Sequence, residues 1–292
     1  MADCADAHPD PLDVHLTAHA WIAGLYVYPV KSMRALACET VRVTALGLEW
    51  DRQWMLVNPL GTFLSQRTHP QLARFVTEIA AGTLLIRAPG RRPLEVPLRA
   101  AGDAGGERLA VRVHRDPCVG VDQGEAAARW VSEALGEMLR LVRVPPLPAR
   151  IADPAFVGRR PAPMGFADGF PLLVCNEASI ADLNTHLPQP IPMERFRPNL
   201  VLAGLPPWAE DRIDTLTVGN VVLRLVKPCT RCTIPSIDQR SGLPGYDPTP
   251  ALRALRFDKV LRGVTFGENA IIVSGEGCDL TRGAPCQVNF EA

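Results

Sequence analysis

The segment Val221-Val222-Leu223-Arg224-Leu225-Val226 runs directly into Lys227-Pro228-Cys229-Thr230-Arg231-Cys232. The first part is rich in β-branched and alternating apolar residues, which predicts a strand. A C-x-x-C pair therefore lies at the end of a strand. A thiolate held at such a rigid position is a suitable soft ligand for a metal ion. This stretch predicts a β-rich fold with a candidate metal ligand at a strand end.

Size and charge limit the classes of function. At 292 residues the chain exceeds the usual size of one compact domain, so two subdomains or one large β-rich domain are expected. Basic and acidic residues number 31 each, which gives no electrostatic basis for sequence-independent binding of nucleic acid. No apolar stretch approaches the roughly 20 residues that cross a bilayer. We therefore expect neither a nucleic-acid partner nor a membrane.

The chain opens with a tail that lacks the features of a signal peptide. Residues 1–18 have neither a basic start nor an apolar middle, and we predict that they are disordered. A cytoplasmic location is expected, and with it a reducing environment. The eight cysteines are then mostly buried thiols or ligands, not disulfides.

Short strands separated by turn residues are predicted for most of the chain, which contains 28 prolines and 23 glycines. Residues 53–57 and 62–64 form a predicted hairpin around the turn at 58–61. The predicted fold class is α+β, mainly β, with a β-rich N-terminal domain, a barrel or sandwich, over 19–145 and a second domain over 146–292.

Few helices are predicted. Asp122 opens a segment that resembles a capping box, and Asn176 is the predicted cap of a helix that carries Ile180 and Leu183 on one face. Residues 145–165, rich in Pro, Ala and Arg, are predicted to be a linker or a long loop.

Four short segments place polar or reactive groups next to predicted strands. Their arginines, lysine, serine and asparagine suit an anion such as a phosphate through charge-assisted hydrogen bonds. Singly, each has a simpler explanation, such as a solvated turn or a surface arginine that packs its stem. The segments are Tyr28-Pro29-Val30-Lys31-Ser32, Asp51-Arg52-Gln53-Trp54, Phe196-Arg197-Pro198-Asn199 and the run from Lys227 to Cys232.

The cysteine pair alone is ambiguous. A structural zinc site needs a second pair, and Cys278 and Cys286 are too widely spaced for it. A thioredoxin-like pair needs a helix that begins at the first cysteine, whereas Thr233-Ile234-Pro235 is predicted to be extended. For any single cysteine, a small buried residue is the simplest explanation.

In combination, the motifs resemble those of the MOSC family, the molybdenum cofactor sulfurase C-terminal domain proteins, and within it the subgroup of amidoxime-reducing proteins and their bacterial relatives. The resemblance covers nearly the whole chain after the tail and makes the two parts a MOSC N-terminal β-barrel domain and a β-barrel-like MOSC domain. Besides the four segments, the matching motifs are Gly47-Leu48-Glu49-Trp50, Phe63-Leu64-Ser65-Gln66-Arg67, Phe166-Ala167-Asp168-Gly169-Phe170-Pro171-Leu172-Leu173, Glu177-Ala178-Ser179, Arg195 with Leu200 and Phe266-Gly267-Glu268-Asn269.

The resemblance implies a pterin-based molybdenum cofactor. In the family the second cysteine of C-x-R-C ligates molybdenum, which makes Cys232 the implied metal ligand and catalytic residue and leaves Cys229 as its neighbour. A thiolate is a consistent partner for a metal that is also bound by the sulfur atoms of the pterin. The implied cofactor contacts are Lys31, Ser32, Arg52, Asp168, Gly169, Arg197 and Asn199.

The resemblance also implies an activity, the reduction of small N-hydroxylated compounds such as amidoximes, hydroxylamines and N-hydroxylated bases. No mitochondrial anchor and no appended ferredoxin domain is recognised, so electrons are expected from a separate ferredoxin-, flavodoxin- or cytochrome b5-like donor. Two alternatives remain: a carrier of sulfur or of the cofactor, whose cysteine holds a persulfide, and a redox-inactive cofactor-binding protein.

Overall fold

The computed structural model describes residues 19–98, 106–146, 150–158 and 161–291. The predicted tail at 1–18 lies outside the described residues. Strands far outnumber helices, and the predicted mainly β fold is confirmed.

The first part of the chain contributes eleven of the strands, most of them short. They are β1 (Ala20–Val27), β2 (Leu36–Ala37), β3 (Thr40–Thr44), β4 (Gly47–Leu48), β5 (Trp54–Val57), β6 (Val76–Ala80), β7 (Thr83–Arg87), β8 (Leu94–Pro97), β9 (Arg108–Val113), β10 (Asp116–Asp122) and β11 (Arg140–Arg143).

The second part contributes ten strands, two of which are long. They are β12 (Arg150–Ile151), β13 (Pro163–Met164), β14 (Leu172–Asn176), β15 (Leu200–Ala203), β16 (Ile213–Val218), β17 (Val221–Thr230), β18 (Phe257–Asp258), β19 (Gly263–Ser274), β20 (Asp279–Thr281) and β21 (Pro285–Phe290).

Four α-helices and four 3-10 helices lie between these strands in the described residues. The α-helices are α1 (Glu125–Leu135), α2 (Pro154–Val157), α3 (Glu177–Thr185) and α4 (Thr249–Arg256), and the 3-10 helices are Pro70–Arg74, Met193–Phe196, Ala209–Arg212 and Ile234–Ser236.

The largest sheet closes into a seven-stranded barrel. Its strands follow the order β14, β15, β1, β21, β16, β17 and β19, and β14 completes the ring because it pairs with β15 on one side and with β19 on the other. Closure leaves no free edge in this ring, which removes the usual route to edge-to-edge aggregation. Fully buried residues such as Ile22, Val174, Leu216 and Leu223 form its apolar core.

The N-terminal part adds two smaller sheets against α1. One has the order β5, β11, β10 and β9, the other the order β6, β7 and β8. A second apolar core lies between them and α1, with Trp54, Leu72 and Val131 fully buried in it. Trp54 also donates from its indole nitrogen to Gln123 Oε1 (3.2 Å).

Strand pairing connects the two parts of the chain. The first strand, β1, pairs with β15 and β21, and β3 pairs with β20, so hydrogen bonds cross the expected division at residues 145 and 146. The division itself stays a prediction. Residues of both parts of the chain line the same cavity, which holds the candidate site.

Two local predictions are confirmed and three are wrong. The hairpin at 53–64 forms, with an isolated bridge between Val57 and Phe63, and Asn176 caps α3 by accepting from the Ala178 amide (3.2 Å). Asp122 does not cap α1, because the helix begins after Gly124 and the carboxylate accepts from Arg140 instead. The predicted loop at 145–165 contains β12, α2 and β13 in its described residues. Residues 233–235 were expected to be extended, but Ile234–Ser236 form a 3-10 turn.

No helix among the described residues has both the length and the apolarity needed to span a membrane.

Candidate functional site

A cavity of about 460 Å³ lies where the two parts of the chain meet. Strand ends and loops supply its lining: the turns after β1 and β4, the segment before β14, the 3-10 turn before β15 and the end of β17. All eight predicted site residues line it, namely Lys31, Ser32, Arg52, Asp168, Gly169, Arg197, Asn199 and Cys232. Their roles toward a cofactor stay predictions, but the geometry brings them together.

Lys31, in the first part of the chain, forms hydrogen bonds to the second part. Its buried ammonium donates to the Phe166 carbonyl (2.8 Å) and to Asp168 Oδ1 (2.6 Å). Burial lowers the pKa of Lys31, and Asp168 acts against this shift. The ammonium also lies 4.9 Å from the centre of the Phe63 ring. Asp168 thus restrains the cation at the cavity wall while most of the carboxyl side chain, 70% exposed, stays accessible.

Arg52 is held by three oxygen atoms. It donates from Nη1 to Asp51 Oδ2 (2.6 Å) and Asn199 Oδ1 (2.9 Å) and from Nη2 to the Arg197 carbonyl (3.3 Å). Asp51 is itself buried and also accepts from the Tyr28 amide (2.8 Å). Burial raises the pKa of Asp51, and Arg52 opposes that rise. The Arg52 charge is therefore neutralised on one side and fixed in direction.

Arg197 has weaker partners. Its guanidinium is buried, donates to Gln239 Oε1 at 3.3 Å and lies 4.2 Å from the centre of the Tyr28 ring. No carboxylate pairs with it among the residues that the structure describes. Burial lowers the pKa of Arg197 to about 10, with Arg52 nearby contributing in the same direction. A buried cation without a counter-ion favours an anionic ligand.

Ser32 and Asn199 complete this wall. The Ser32 hydroxyl donates to the Leu64 carbonyl (3.3 Å), and the backbone carbonyl of Ser32 accepts from the Gln66 side chain (2.8 Å). Asn199, almost fully buried, accepts from Arg52 and donates to the Tyr26 carbonyl (3.1 Å). At Gly169 a Cβ atom would meet no neighbour within 4 Å, so packing does not require that glycine.

Backbone strain is concentrated at this wall. Eight described residues other than glycine have a positive φ, and four of them line the cavity: Ser32 (70°), Arg52 (47°), His114 (54°) and Arg197 (58°). Each left-handed conformation costs about 1 kcal/mol or more, and such residues cluster at functional sites.

The two cysteines of the C-x-x-C segment differ in environment. Cys232 is exposed at the cavity, whereas Cys229 is half-buried and packs against an apolar cluster around Phe266. Arg231 lies between them in sequence and donates from Nη1 to Cys229 Sγ (3.0 Å) and from Nη2 to the Phe196 carbonyl (2.7 Å). The Cys229 thiol therefore has a protein partner, while that of Cys232 faces solvent and the cavity.

The cavity carries an excess of positive charge that the whole chain does not show. Asp168 is the one carboxylate among the described lining residues. The basic residues that line the cavity are Lys31, Arg52, Arg67, Arg197, Lys227 and Arg231. Opposed by a single acidic group, they make the cavity a suitable site for an anion.

Three contributors were not predicted from the sequence. Arg150, buried, donates to the carbonyls of Gly165, Ala167 and Asp168 and so shapes the loop that carries Asp168. Gln239 exchanges hydrogen bonds with Gln66 (2.8 and 2.9 Å) beneath Arg197. His114 is 2.8 Å from Asp168 Oδ1. None belongs to a recognisable motif, so no sequence signal marks them.

Comparison with known proteins agrees with this arrangement. Residues 19–138 match the MOSC N-terminal beta barrel domain, and residues 161–284 match the MOSC domain. The chain belongs to the MOSC family. The predicted resemblance is confirmed.

Several curated relatives of this MOSC protein have informative names. Mitochondrial amidoxime-reducing component 1 of Mus musculus and of Homo sapiens are each 32% identical to it, over 80% of this chain and 71% and 72% of theirs. Molybdenum cofactor sulfurase of Danio rerio is 30% identical over 83% of this chain but only 31% of its own length. The family and these relatives are associated with the molybdenum cofactor.

The donor set fits that cofactor. No group of three or more His, Cys, Asp or Glu side chains that could hold a metal occurs in the described part of the chain, so a protein-only metal cage is absent there. A single exposed thiol beside buried cations instead suits a metal whose other ligands arrive with an anionic organic group.

Proposed function

We propose that this MOSC protein is a molybdenum-dependent reductase of N-hydroxylated compounds, including amidoximes, hydroxylamines and N-hydroxylated bases. One observation carries the proposal. The exposed thiol of Cys232 shares a cavity with the buried Lys31 and Arg197 and the partly buried Arg52, whose positive charges are only partly neutralised. The names of the mouse and human relatives support the class of substrate.

In this proposal each predicted residue has a defined task. Cys232 ligates the metal as a thiolate. Lys31, Arg52 and Arg197 bind the phosphate and the edges of the pterin, with Arg197 offering the least neutralised charge. Ser32, Asp168, Gly169 and Asn199 line the remaining contact surface.

When bound, the cofactor would supply the two-electron reduction of the substrate. The overall change is cleavage of the N–O bond of an N–OH group, with two electrons and two protons taken up and the amine or amidine and water released. The residues of the cavity would hold the substrate near the Cys232 thiol and keep positive charge around it. The electrons come from a separate small carrier protein of the ferredoxin, flavodoxin or cytochrome b5 type.

The proposed compartment is the reducing cytosol. The seven cysteines among the described residues are all free thiols, which agrees with a compartment where disulfides do not form.

The test compares Cys232→Ala with the matched variant Cys229→Ala. Molybdenum is measured by mass spectrometry of the purified proteins, pterin by the fluorescence of its oxidised form, and activity by reduction of benzamidoxime with a chemically reduced dye. We expect Cys232→Ala to lose bound metal and activity and Cys229→Ala to keep much of both. Equal losses in the two variants would contradict the ligand assignment.

A carrier is the second candidate, since the Danio rerio sulfurase match and the exposure of Cys232 also suit a persulfide. A carrier would contain little tightly bound molybdenum. The intact mass of the protein purified without reductant would then show one added sulfur atom, which Cys232→Ala would lack.

A further inference from the structure

His114 places an imidazole ring, a group that can donate a proton, at the cavity wall. It lies in the turn between β9 and β10, with a left-handed φ of 54°, and lines the cavity. Its ring packs edge-on against Phe63, with ring centres 5.0 Å apart and planes at 72°. The side chain is 38% exposed, so it can exchange protons with solvent.

The partner of the ring settles which nitrogen carries the hydrogen of the neutral imidazole. His114 Nε2 is 2.8 Å from Asp168 Oδ1, and the same oxygen accepts from Lys31 Nζ at 2.6 Å. Although burial favours the neutral acid, Lys31 and His114 hold the pKa of Asp168 well below its ordinary value. An ionised carboxylate only accepts hydrogen bonds, so Nε2 carries a hydrogen. The proton that enters and leaves the ring is therefore on Nδ1.

We propose that His114, oriented by Asp168, delivers a proton to the substrate oxygen during N–OH reduction. The inference rests on the proposed function. The N–O bond breaks as two electrons arrive from the carrier protein. His114 gives its Nδ1 proton to the departing oxygen, which leaves as water, and regains a proton from solvent. The second proton comes from solvent and goes to the nitrogen, which is released as the amine or amidine.

The other cavity groups are poor candidates for this task. Arginine does not give up its proton in proteins, which excludes four of the basic lining residues. The Lys31 ammonium is buried and directed at Asp168 and a carbonyl, and Lys227 lies 4.3 Å from the centre of the Phe156 ring. His114 is the one histidine among the described lining residues, and histidine ordinarily titrates near neutral pH.

The charges around the pair are few. Lys31 shares the Asp168 oxygen with the ring, and Arg150 donates to the Asp168 carbonyl (3.1 Å) and to Asp116 (2.8 Å). Arg67 lies 6.0 Å from the centre of the Phe63 ring, against which His114 packs.

The test uses full-length protein loaded with its cofactor and compares wild type with His114→Gln and with the control His186→Gln at an exposed site. The glutamine amide can still donate to Asp168 but has no titrating proton. At equal molybdenum content we expect kcat for benzamidoxime with a reduced dye to fall roughly 100-fold in His114→Gln, as for loss of a general acid. We also expect kcat of the wild type to depend on pH, and this dependence to be lost in His114→Gln.

A second readout does not depend on turnover. Nitrogen-15 NMR of the histidine side chains should show neutral His114 as the Nε2–H tautomer, and this preference should be lost in Asp168→Asn. The opposite tautomer in wild type would overturn the proposal.

Three outcomes separate this inference from the proposed function. If wild type is active and His114→Gln keeps its kcat within about twofold and its pH profile, only the proton-donor role fails. If His114→Gln binds less cofactor, the deciding measurement is the turnover of His114→Ala with added imidazole. Restored turnover supports the proton-donor role, and absence of rescue overturns it. If wild type with full molybdenum reduces no N-hydroxylated compound, both proposals fail.

Discussion

Arg52 donates a hydrogen bond to the backbone carbonyl of Arg197 (3.3 Å), and both guanidinium groups lie 4.2 Å from the centre of the Tyr28 ring. Two positive charges are thereby held close together inside the protein. Their mutual repulsion is offset by Asp51 on one side and by the face of the ring. An anion bound between the two guanidinium groups would relieve this repulsion.

The ring of Tyr28 should therefore matter more for cofactor binding than its hydroxyl. Tyr28→Leu removes both cation–π contacts, each worth about 2 kcal/mol at a desolvated site, so we expect the content of bound pterin to fall about tenfold or more. Tyr28→Phe keeps the ring and loses only the hydrogen bond from the hydroxyl to the Pro198 carbonyl (3.0 Å). Its pterin content should stay near that of wild type. A similar loss in both variants would assign the effect to the hydroxyl.

Asn199 should be essential for stability even without a cofactor. Its side chain accepts from Arg52 (2.9 Å) and from the Leu173 amide (3.2 Å) and donates to the Tyr26 carbonyl. Asn199→Ala removes all three hydrogen bonds, although the Arg52 side chain keeps Asp51 and the Arg197 carbonyl as partners. We therefore expect the free energy of unfolding in urea to fall by about 3 kcal/mol. The control is Asn289→Ala, which removes an exposed hydrogen bond to Thr215 and should change it by less than about 0.5 kcal/mol. Equal losses of free energy of unfolding in the two variants would mean that the buried hydrogen bonds of Asn199 stabilise the fold no more than an exposed one.

Two buried carboxyl groups behind the site predict how stability depends on pH. Burial raises the pKa of Glu268 to about 9 and that of Glu210 to about 7, with neighbouring carboxylates adding to the rise. Because an unfolded glutamate has a pKa of about 4.3, the folded state binds more protons above that pH. The free energy of unfolding should therefore decrease as the pH rises from about 5 to 9, by at most about 1.4 kcal/mol per unit for each group.

Glu268→Gln should reduce this slope, since the amide does not titrate. Urea unfolding of the cofactor-free protein at several pH values measures the slope of the free energy of unfolding against pH. A loss of stability that is the same at every pH does not change this slope. Glu276→Gln, at an exposed position, should leave the slope unchanged. A Glu268→Gln slope equal to that of wild type would show that Glu268 is ionised in the folded protein.

The sequence predicted those features that depend on local pattern. The strand that leads into the C-x-x-C segment, the hairpin around Pro59 and the Asn176 cap all follow from neighbouring residues, and the structure has each of them. The grouping of the predicted site residues came from motif order in a known family. Most of these motifs lie next to strands of the barrel, whose closure brings them to one cavity, whereas Arg52 lies between β4 and β5, outside the ring.

What could not be predicted depends on contacts between distant residues. His114 meets Asp168 across 54 positions, and the Gln66–Gln239 pair spans 173, so no window of sequence contains either. Asp122 has the pattern of a cap, but Arg140 on the adjacent strand competes for its carboxylate. At 234–236 the Ser236 and Ile237 amides bond to the carbonyls of Thr233 and Ile234, which overrides the extended preference of β-branched residues.

Gly267 offers a test of how the barrel closes. It has a φ of +73° in β19, beside the pairing of Glu268 with Val174 that joins β19 to β14. A Cβ atom there would stand 2.5 Å from Cys175 Sγ and 2.7 Å from the Val174 carbonyl oxygen, both on β14. Gly82 has nearly the same φ, +76°, in the turn between β6 and β7, and its Cβ would meet nothing within 4 Å.

The two alanine variants therefore separate backbone strain from steric exclusion at the seam. Gly82→Ala should lower the free energy of unfolding in urea by about 1 kcal/mol, the cost of a left-handed alanine. Gly267→Ala adds the clash with β14 and should cost about 2 to 4 kcal/mol. Cys175→Ala in that background should recover part of the loss, because it removes the sulfur but not the Val174 carbonyl. Equal losses at the two glycines would mean that the added methyl group meets no resistance from β14. The pairing of β14 with β19 would then not be what closes the barrel.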